Sequence, residues 1–370
     1  MDRQKETTSL PVRVAIIGVG AVSDYHHVPG LRIDPRARLV AACDSSPELL
    51  ERRRDEWKID LISTSFEEIC ESPEVDAVII ATPNDTHKPI TEAAARHGKH
   101  VMCEKPLALC AGSVQHMLDA CQAAGVVHMT AFTYRFAPSM RYLKHLLRSG
   151  ALGEPRHFRS QRFLDLPETS WGWRQYKERA GAGDLFDMTI HRLDFALDLM
   201  GPLSKVTGAV ARFASRTKTA EGTECSPSEV DDWSSLIGIF ASGATGVWEG
   251  TTLAKGYKRC GFGHEWAEIN GSEASAVYRL HEPNTLLLGK HGGDLEPIAV
   301  PEEFLKPAGS PRDVALGEPA TVFRYDLVFE FISAIVEARD AVPSFADGLK
   351  AQLVADAVLD SFETGHWVTL

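Results

Sequence analysis

"VRVAIIGVGAVS", residues 12–23, decides the fold. An almost wholly apolar run, rich in β-branched side chains, leads straight into Gly18-Val19-Gly20-Ala21-Val22-Ser23. A buried strand followed at once by a glycine turn and a helix start opens a parallel α/β sheet. The first glycine permits the tight turn, and the second lets backbone approach a pyrophosphate at the helix N-terminus. Ser23 takes the third position, a small-for-small exchange at the helix–strand contact. A merely structural glycine turn is the alternative. The position directly after the first strand favours dinucleotide binding, with Gly18, Val19, Gly20, Ala21 and Val22 at the cofactor.

The pattern recurs outward from this stretch. "ARLVAAC" (37–43), "VDAVIIAT" (75–82), "KHVMC" (99–103) and "VVHMTAF" (126–132) are further short apolar runs. Helical stretches separate them, among them "SPELLERRRDEW" (46–57), "THKPITEAAARHG" (86–98) and "GSVQHMLDACQAAG" (112–125). Apolar strands alternating with helices predict a doubly wound parallel sheet over residues 1–130, covered on both faces. A helix over 137–153 follows, closing on Gly150. Beyond residue 205, "KVTGAVARF", "WSSLIGIFASGATGVWEGTT", "AEINGSEASAVYRL" and "NTLLLG" predict strands, with Ser242-Gly243 as a hairpin turn. Residues 131–370 therefore read as an α+β domain on a largely antiparallel sheet, finished by helices near 322–339 and 347–364. The polar stretch 214–229 reads as a mobile loop.

Composition excludes several classes. A net charge of −12 argues against nucleic acid, whose phosphates need concentrated Lys and Arg. The "RRR" at 52–54 neighbours Glu51, Asp55 and Glu56 and reads as a solvated helix face. No apolar run approaches the ~20 residues of a membrane span, and the opening "MDRQKETTSL" lacks a signal-peptide pattern. Seven scattered cysteines without a CxxC pair imply reduced thiols in a cytoplasmic protein, with no disulfide framework and no metal site.

Several acidic or basic positions stand out. Asp44 ends the second strand, where a carboxylate accepts hydrogen bonds from both ribose hydroxyls and repels a 2′-phosphate, favouring NAD over NADP. Its alternative is to N-cap the helix beginning near Pro47. Lys105 lies where the "KHVMC" strand runs out. A lysine beside a glutamate is ordinarily a surface pair, but this end of a parallel strand is where open α/β sheets bind ligands. In "AGAGDLFDMTIHRLDF" (180–195), Asp187 and His191 lie four residues apart and share one face if helical. An isolated pair of this kind is otherwise a helix-surface feature. Tyr134 and Arg135, in "FTYRFAP", follow the last strand of the first domain. They are candidates to touch substrate hydroxyls, with core packing the alternative for the tyrosine. His26 and His27 fall within the first helix or at its end.

With "ATPNDTH" (81–87), "GKHVMCEKPLA" (98–108) and "AGAGDLFDMTIHRLDF", the chain resembles the glucose–fructose oxidoreductase / inositol dehydrogenase / MocA (Gfo/Idh/MocA) family over nearly its whole length. "AEINGSEASAVY" and "PSFADGLKAQLVADAVLDS" are similar in particular to members that oxidise a ring hydroxyl of sugars. The resemblance implies a Rossmann domain and an open-faced sheet whose broad face buries a homo-oligomer interface, as dimer or tetramer. It implies that Lys105, Asp187 and His191 are catalytic and meet the substrate, Lys105 also bordering the cofactor. It further implies a cis-proline turn at Pro106, and a cofactor groove lined by Thr82, Pro83, Asn84, His87 and Glu104. Trp173 and Arg174, in "WGWRQY", would pack near the nicotinamide. Ala182 departs from the family's glycine triplet, and Arg192 falls either at the substrate mouth or on the surface.

Oxidising a secondary alcohol removes a hydroxyl proton and sends a hydride to nicotinamide; the protein orients the groups and manages the proton. His191 is the expected base, because imidazole titrates near ~6.5 and lysine near ~10.4. A protonated Lys105 then stabilises the developing alkoxide, and Asp187 orients the imidazole or grips a neighbouring hydroxyl. The rival scheme makes Lys105 the acceptor, its pKa lowered by burial beside the cationic ring. The expected activity is NAD(P)-dependent hydride transfer to or from a ring hydroxyl or ketone of a sugar, sugar derivative or cyclitol. An NAD-dependent glycosidase working through transient oxidation is one alternative. A non-catalytic nucleotide or sugar sensor is another, although a sensor has no need of all three catalytic residues.

Overall fold

The computed structural model describes residues 11–257 and 264–370, so the opening decapeptide and Cys260 lie outside the described residues. Two compact units make up the chain. The first runs up to Thr133 and takes in 308–315 and 324–349; the second comprises 134–307, 316–323 and 350–370.

Six parallel strands form the first unit: β1 (Val12–Ile17), β2 (Ala37–Cys43), β3 (Leu61–Ser63), β4 (Ala77–Ile80), β5 (His100–Cys103) and β6 (His128–Thr130). Their order is β3-β2-β1-β4-β5-β6. It reverses between β1 and β4, and the crevice beyond the carboxyl ends at such a point is where open α/β sheets take ligands. Val14–Ile17 and Ala77–Ile80 pair there and are buried throughout, as a sheet covered on both faces requires. Helix Tyr325–Val336 belongs to this unit although it is distant in sequence. Gly30 admits it: a Cβ there would sit 2.8 Å from Cγ2 of Val328.

The three arginines at 52–54 do not all lie on a solvated helix face. Within "RRR", Arg52 is exposed and Arg54 pairs with Glu51, but Arg53 turns inward. Its Nε donates to the Val19 carbonyl at 3.3 Å and its Nη1 lies 3.0 Å from Asp24. The guanidinium thus braces the glycine turn instead of coating a helix.

The second unit carries nine strands: β7 (Pro155–Phe163), β8 (Leu203–Ala211), β9 (Trp233–Phe240), β10 (Thr245–Thr251), β11 (His264–Gly271), β12 (Ala274–Arg279), β13 (Thr285–Lys290), β14 (Glu296–Ala299) and β15 (Val368–Thr369). The order is β14-β13-β12-β11-β7-β10-β9-β8-β15, antiparallel except where β7 meets β10. The expected hairpin joins β9 to β10, with Gly243 at φ 90°. Strand β7 has no counterpart in the sequence reading, because its inward positions are Phe158, Ser160 and Arg162 and do not alternate as apolar and polar.

The inward face of this sheet changes character along its length. Phe158, Leu236, Phe240, Trp248 and Ile269 fill an apolar interior, where Phe158 packs edge-on to Phe195 of helix Ile190–Met200. At one end Ser234, Gly250, Arg162 and Glu265 stand side by side across β9, β10, β7 and β11. This polar row sits under the candidate catalytic helix.

Residues 214–229 are not a detached loop. Ala214, Arg216 and Ser228 are buried. Backbone bonds tie the stretch to 170–175, Ser170 N–H to Lys218 O at 2.7 Å and Glu229 N–H to Gln175 O at 2.8 Å. A polar composition conceals these backbone pairings.

Candidate active site

In the first unit the glycine turn is shaped by its neighbours. Gly18 has φ 95°, and a Cβ on it would lie 2.5 Å from the Ala81 carbonyl oxygen at the exit of β4. A Cβ on Gly20 would meet nothing within 4 Å. Gly18 is therefore required by the protein, whereas Gly20 borders open space at the start of a helix, as a dinucleotide pyrophosphate needs. Ser23 is fully buried, and its hydroxyl donates to Gly18 O at 2.6 Å, closing the turn. The helix then begins with a widened π turn, Ser23–His27.

Asp44 accepts from Val19 N–H at 2.9 Å through Oδ2 and from Ser46 N–H at 3.0 Å through Oδ1. The helix-capping alternative fails, because Ser46 is the N-cap and accepts from Leu49 N–H. A carboxylate offers about four acceptor positions, so Asp44, half-buried beside the turn, retains capacity for two ribose hydroxyls. The residues present fit an NAD.

Lys105 follows β5 and is half-buried, with a cis bond to Pro106. Glu104 accepts Lys105 N–H at 3.3 Å on Oε2 and faces His27 Nε2 at 2.9 Å on Oε1. Burial raises the Glu104 carboxyl, but His27 and Lys105 outweigh it and hold the group below the usual range. His27, at the end of the π turn, thereby links the glycine turn to the tip of β5. His26 stays neutral, its pKa pushed down to about 2 by burial and by Arg324 and His27.

Thr82, Pro83 and Asn84 form the turn after β4, Thr86 Oγ1 lying 2.7 Å from Thr82 Oγ1. His87 is fully buried, Nδ1 at 2.9 Å from Pro106 O and Nε2 at 2.9 Å from Thr82 O. Burial lowers its pKa. It fastens the Thr82 and Pro106 turns together.

In the second unit, Gly181 to Asp184 lead into a π turn, Leu185–Thr189, and then helix Ile190–Met200. Asp187 lies in the π turn and His191 in the helix, so the expected single α-helix is widened where it carries Asp187. A Cβ on Gly183 would fall 1.7 Å from Asp231 O. The Asp231 carboxylate takes Gly183 N–H at 2.7 Å and Leu185 N–H at 3.0 Å, capping the helix start. Ala182 has no left-handed φ and its methyl is buried, so the departure from a glycine triplet is accommodated.

His191, 8% exposed, packs against Tyr134 with the ring centroids 4.5 Å apart and the planes tilted by 40°. The Tyr134 hydroxyl accepts from Arg162 Nη1 at 2.7 Å, and Arg162 pairs with Glu265 directly across the β7–β11 ladder. Tyr134 thus sits under the imidazole, in the core, with its hydroxyl engaged. Arg135 forks onto Asp194 and reaches Asp198, anchoring residues 134–136 to helix Ile190–Met200.

Arg192 is fully buried, against the expectation of a mouth or surface position. It donates to Thr189 Oγ1, and Thr189 and Ser234 donate to Asp184 Oδ2 at 2.9 and 2.6 Å. A Cβ on Gly250 would lie 2.5 Å from Arg192 Nη2 and 2.6 Å from Asp184 Oδ2. That glycine exists to admit both groups. Arg162, Arg192, Asp184 and Glu265 make a charge-balanced buried layer, which such desolvated ions require. None of Asp231, Asp184, Arg162 and Glu265 stood out in the sequence; the legible trace was the acidic pair Asp231-Asp232 ahead of a strand.

Trp173 and Arg174 lie in a 3₁₀ turn, Gly172–Gln175, the guanidinium 4.4 Å over the indole ring. Among the described residues no group of three or more His, Cys, Asp or Glu is arranged to hold a metal ion, and no helix is long and apolar enough to cross a membrane.

Comparison with known proteins agrees with this geometry. Residues 12–132 match the Gfo/Idh/MocA oxidoreductase family with NAD-binding Rossmann fold, and residues 140–277 match the family's C-terminal domain. The levoglucosan dehydrogenase of Pseudarthrobacter phenanthrenivorans is 30% identical over 90% of this chain and 89% of its own. The D-glucoside 3-dehydrogenase of Escherichia coli is 32% identical over 52% of this chain and 55% of its own. A solved levoglucosan dehydrogenase in complex with NADH and levoglucosan superposes with TM-score 0.88 at 28% identity, covering 97% of this chain and 99% of that one.

Proposed function

The chain belongs to the Gfo/Idh/MocA family of NAD-binding oxidoreductases, and we propose that it moves a hydride between NAD and a ring hydroxyl or ketone of a sugar or anhydrosugar. The observation that carries this reading is the likeness to a levoglucosan dehydrogenase along both units, in a chain that also has Lys105, Asp187 and His191. Gly20, Asp44 and the Thr82–Asn84 turn would hold NAD, which supplies the hydride acceptor when bound. The carboxylate of Asp44 disfavours a 2′-phosphate and so NADP.

His191 takes the hydroxyl proton, its ring plane set by Tyr134. Lys105 stays protonated and stabilises the alkoxide oxygen as it develops. Asp187 holds the imidazole or an adjacent hydroxyl. In reduction, His191 returns the proton. Trp173 and Arg174 border the nicotinamide end. The reaction takes place in the cytoplasm. The protein works as a homo-oligomer through the open face of its second sheet, where Ile237 and Val247 are 47% and 37% exposed; sedimentation of a monomer would refute that.

The test is NADH absorbance with a panel of monosaccharides, anhydrosugars, glycosides and inositols. Turnover of a ring alcohol with NAD is expected, and Lys105→Ala should lose at least ~10²-fold in kcat, the usual scale for a transition-state donor, while binding NADH normally. Undiminished turnover by that variant, or no reduction of NAD by any member of the panel, defeats the proposal.

A further inference from the structure

Arg216 is one of three described non-glycine residues with positive φ, at 50°. It is also 2% exposed. A long side chain in the left-handed region costs free energy, and a buried guanidinium forfeits its hydration. Such a combination persists only where the surroundings over-determine it, and it gathers at functional segments.

The surroundings are specific. Nη1 donates to Pro167 O at 2.5 Å and to Thr169 O at 3.2 Å, and the guanidinium lies 3.8 Å over the Trp171 ring. Carbonyls, an aromatic face and the nearby charges of Asp232 and Glu168 compensate the buried cation. The left-handed backbone turns Arg216 O toward Gln175, whose Nε2 reaches it at 3.4 Å and Ser226 O at 2.6 Å. Gln175 Oε1 in turn accepts Trp171 N–H at 3.0 Å. Side chain and main chain of one residue therefore grip both ends of the Trp171–Gln175 turn.

We propose that Arg216 is a positioning residue that fixes this turn, and through it Trp173 and Arg174, and so sets which hydroxyl-rich ring the enzyme accepts. The proposal rests on the dehydrogenase reading for its substrate. An indole face with a guanidinium stacked on it suits the apolar face and hydroxyl rim of a sugar ring, provided the two are held still. Their own turn is short, and it is tied down by the buried Gln175 at one end and by Arg216, which touches both ends.

Arg216→Gly keeps the left-handed backbone and deletes the guanidinium; Arg216→Lys keeps a cation without the planar fork. In the ligand-free Gly variant, deuterium uptake over residues 165–177 should quicken about tenfold or more while β9 and β10 exchange as before. The KM for the sugar should rise about tenfold with kcat changed less than threefold, and Lys should restore only part of it. Unchanged exchange over 165–177, or a loss confined to kcat, overturns the proposal. Should the Gly variant not unfold cooperatively, Trp171→Leu removes the stacking platform and is read by the same two outcomes. The exchange measurement needs neither sugar nor NAD, so a protein that oxidises no sugar would sink the dehydrogenase reading and leave this positioning role decidable.

Discussion

Two glycine turns introduce the two helices that matter most, and they differ in what occupies the space beside the missing Cβ. Each turn leads into a π turn, Ser23–His27 in the first unit and Leu185–Thr189 in the second. Each has an aspartate that accepts backbone N–H groups of the turn, Asp44 from Val19 and Asp231 from Gly183 and Leu185. At Gly20 a Cβ would meet nothing, whereas at Gly183 it would overlap Asp231 O at 1.7 Å. Asp44 is half-buried with acceptor capacity to spare; Asp231 is 7% exposed and has both oxygens engaged. The first turn is thus kept open for a group the chain does not supply. The second is filled by the chain itself, and its product is a rigid start for the helix bearing Asp187 and His191.

Alanine separates the two cases, and the largest effect belongs to the second turn. Gly183→Ala drives a methyl into backbone that has no rotamer to yield, so a loss on the order of 3 kcal/mol or more is expected, and activity goes with it. Gly20→Ala should leave the urea midpoint within the equivalent of about 0.5 kcal/mol yet weaken NADH about tenfold, ~1.4 kcal/mol. Equal stability loss in both variants would erase the distinction drawn here.

The aspartates give the next contrast. Burial pushes Asp231 up to about 7 from an ordinary 3.8, although the Gly183 and Leu185 N–H groups pull the other way. A raised carboxyl binds its proton more tightly in the folded chain. Its stabilising contribution is whole below the unfolded value and is lost as pH rises through about 7. Asp184, also raised by burial, adds with the same sign. At pH 5 the protonated Asp231 carboxyl still sets an oxygen against each of the two N–H groups, whereas Asp231→Asn sets an NH2 against one of them and should cost about 1–3 kcal/mol. The decline in wild-type stability between pH 5 and 8 should flatten in this variant; denaturant titrations at both pH values would show an unchanged slope if Asp231 does not carry it.

How far each turn could be read beforehand follows from the same difference. The first turn sits in local sequence: apolar strand, glycines at fixed spacing, helix, then Asp44 at the next strand end. The Lys105 tip and the Asp187–His191 spacing are equally local, and the family likeness rests on them. What escaped was assembled from distant segments. Asp231 caps a helix that starts 46 residues earlier at Leu185. Arg162 and Glu265 meet only once β7 and β11 are in register. Strand β7 hid because its inward side chains serve that polar row instead of an apolar core. Arg53 faces inward because Val19 O and Asp24 lie above it, which its own charged neighbours do not reveal. The return of residues 324–349 to the first unit has no local signal, since the pairing of Gly30 with Val328 spans most of the chain.

The smallest expected effect tests whether Ser23 is part of the open turn or only of its frame. Its hydroxyl spans 2.6 Å to Gly18 O in a fully buried position. Ser23→Ala leaves that carbonyl without its donor but adds no atom, so about 1 kcal/mol of stability should be lost. Ser23→Gly should lose about twice as much, because a helix position without a Cβ costs a further ~1 kcal/mol relative to alanine. Neither should move NADH affinity by more than about twofold, ~0.4 kcal/mol. If Ser23→Ala weakens NADH as much as Gly20→Ala while the protein stays as stable as wild type, the hydroxyl addresses the ligand and not the frame. The boundary between the protein-filled and ligand-facing sides of the first turn would then have to be redrawn between Gly18 and Ser23.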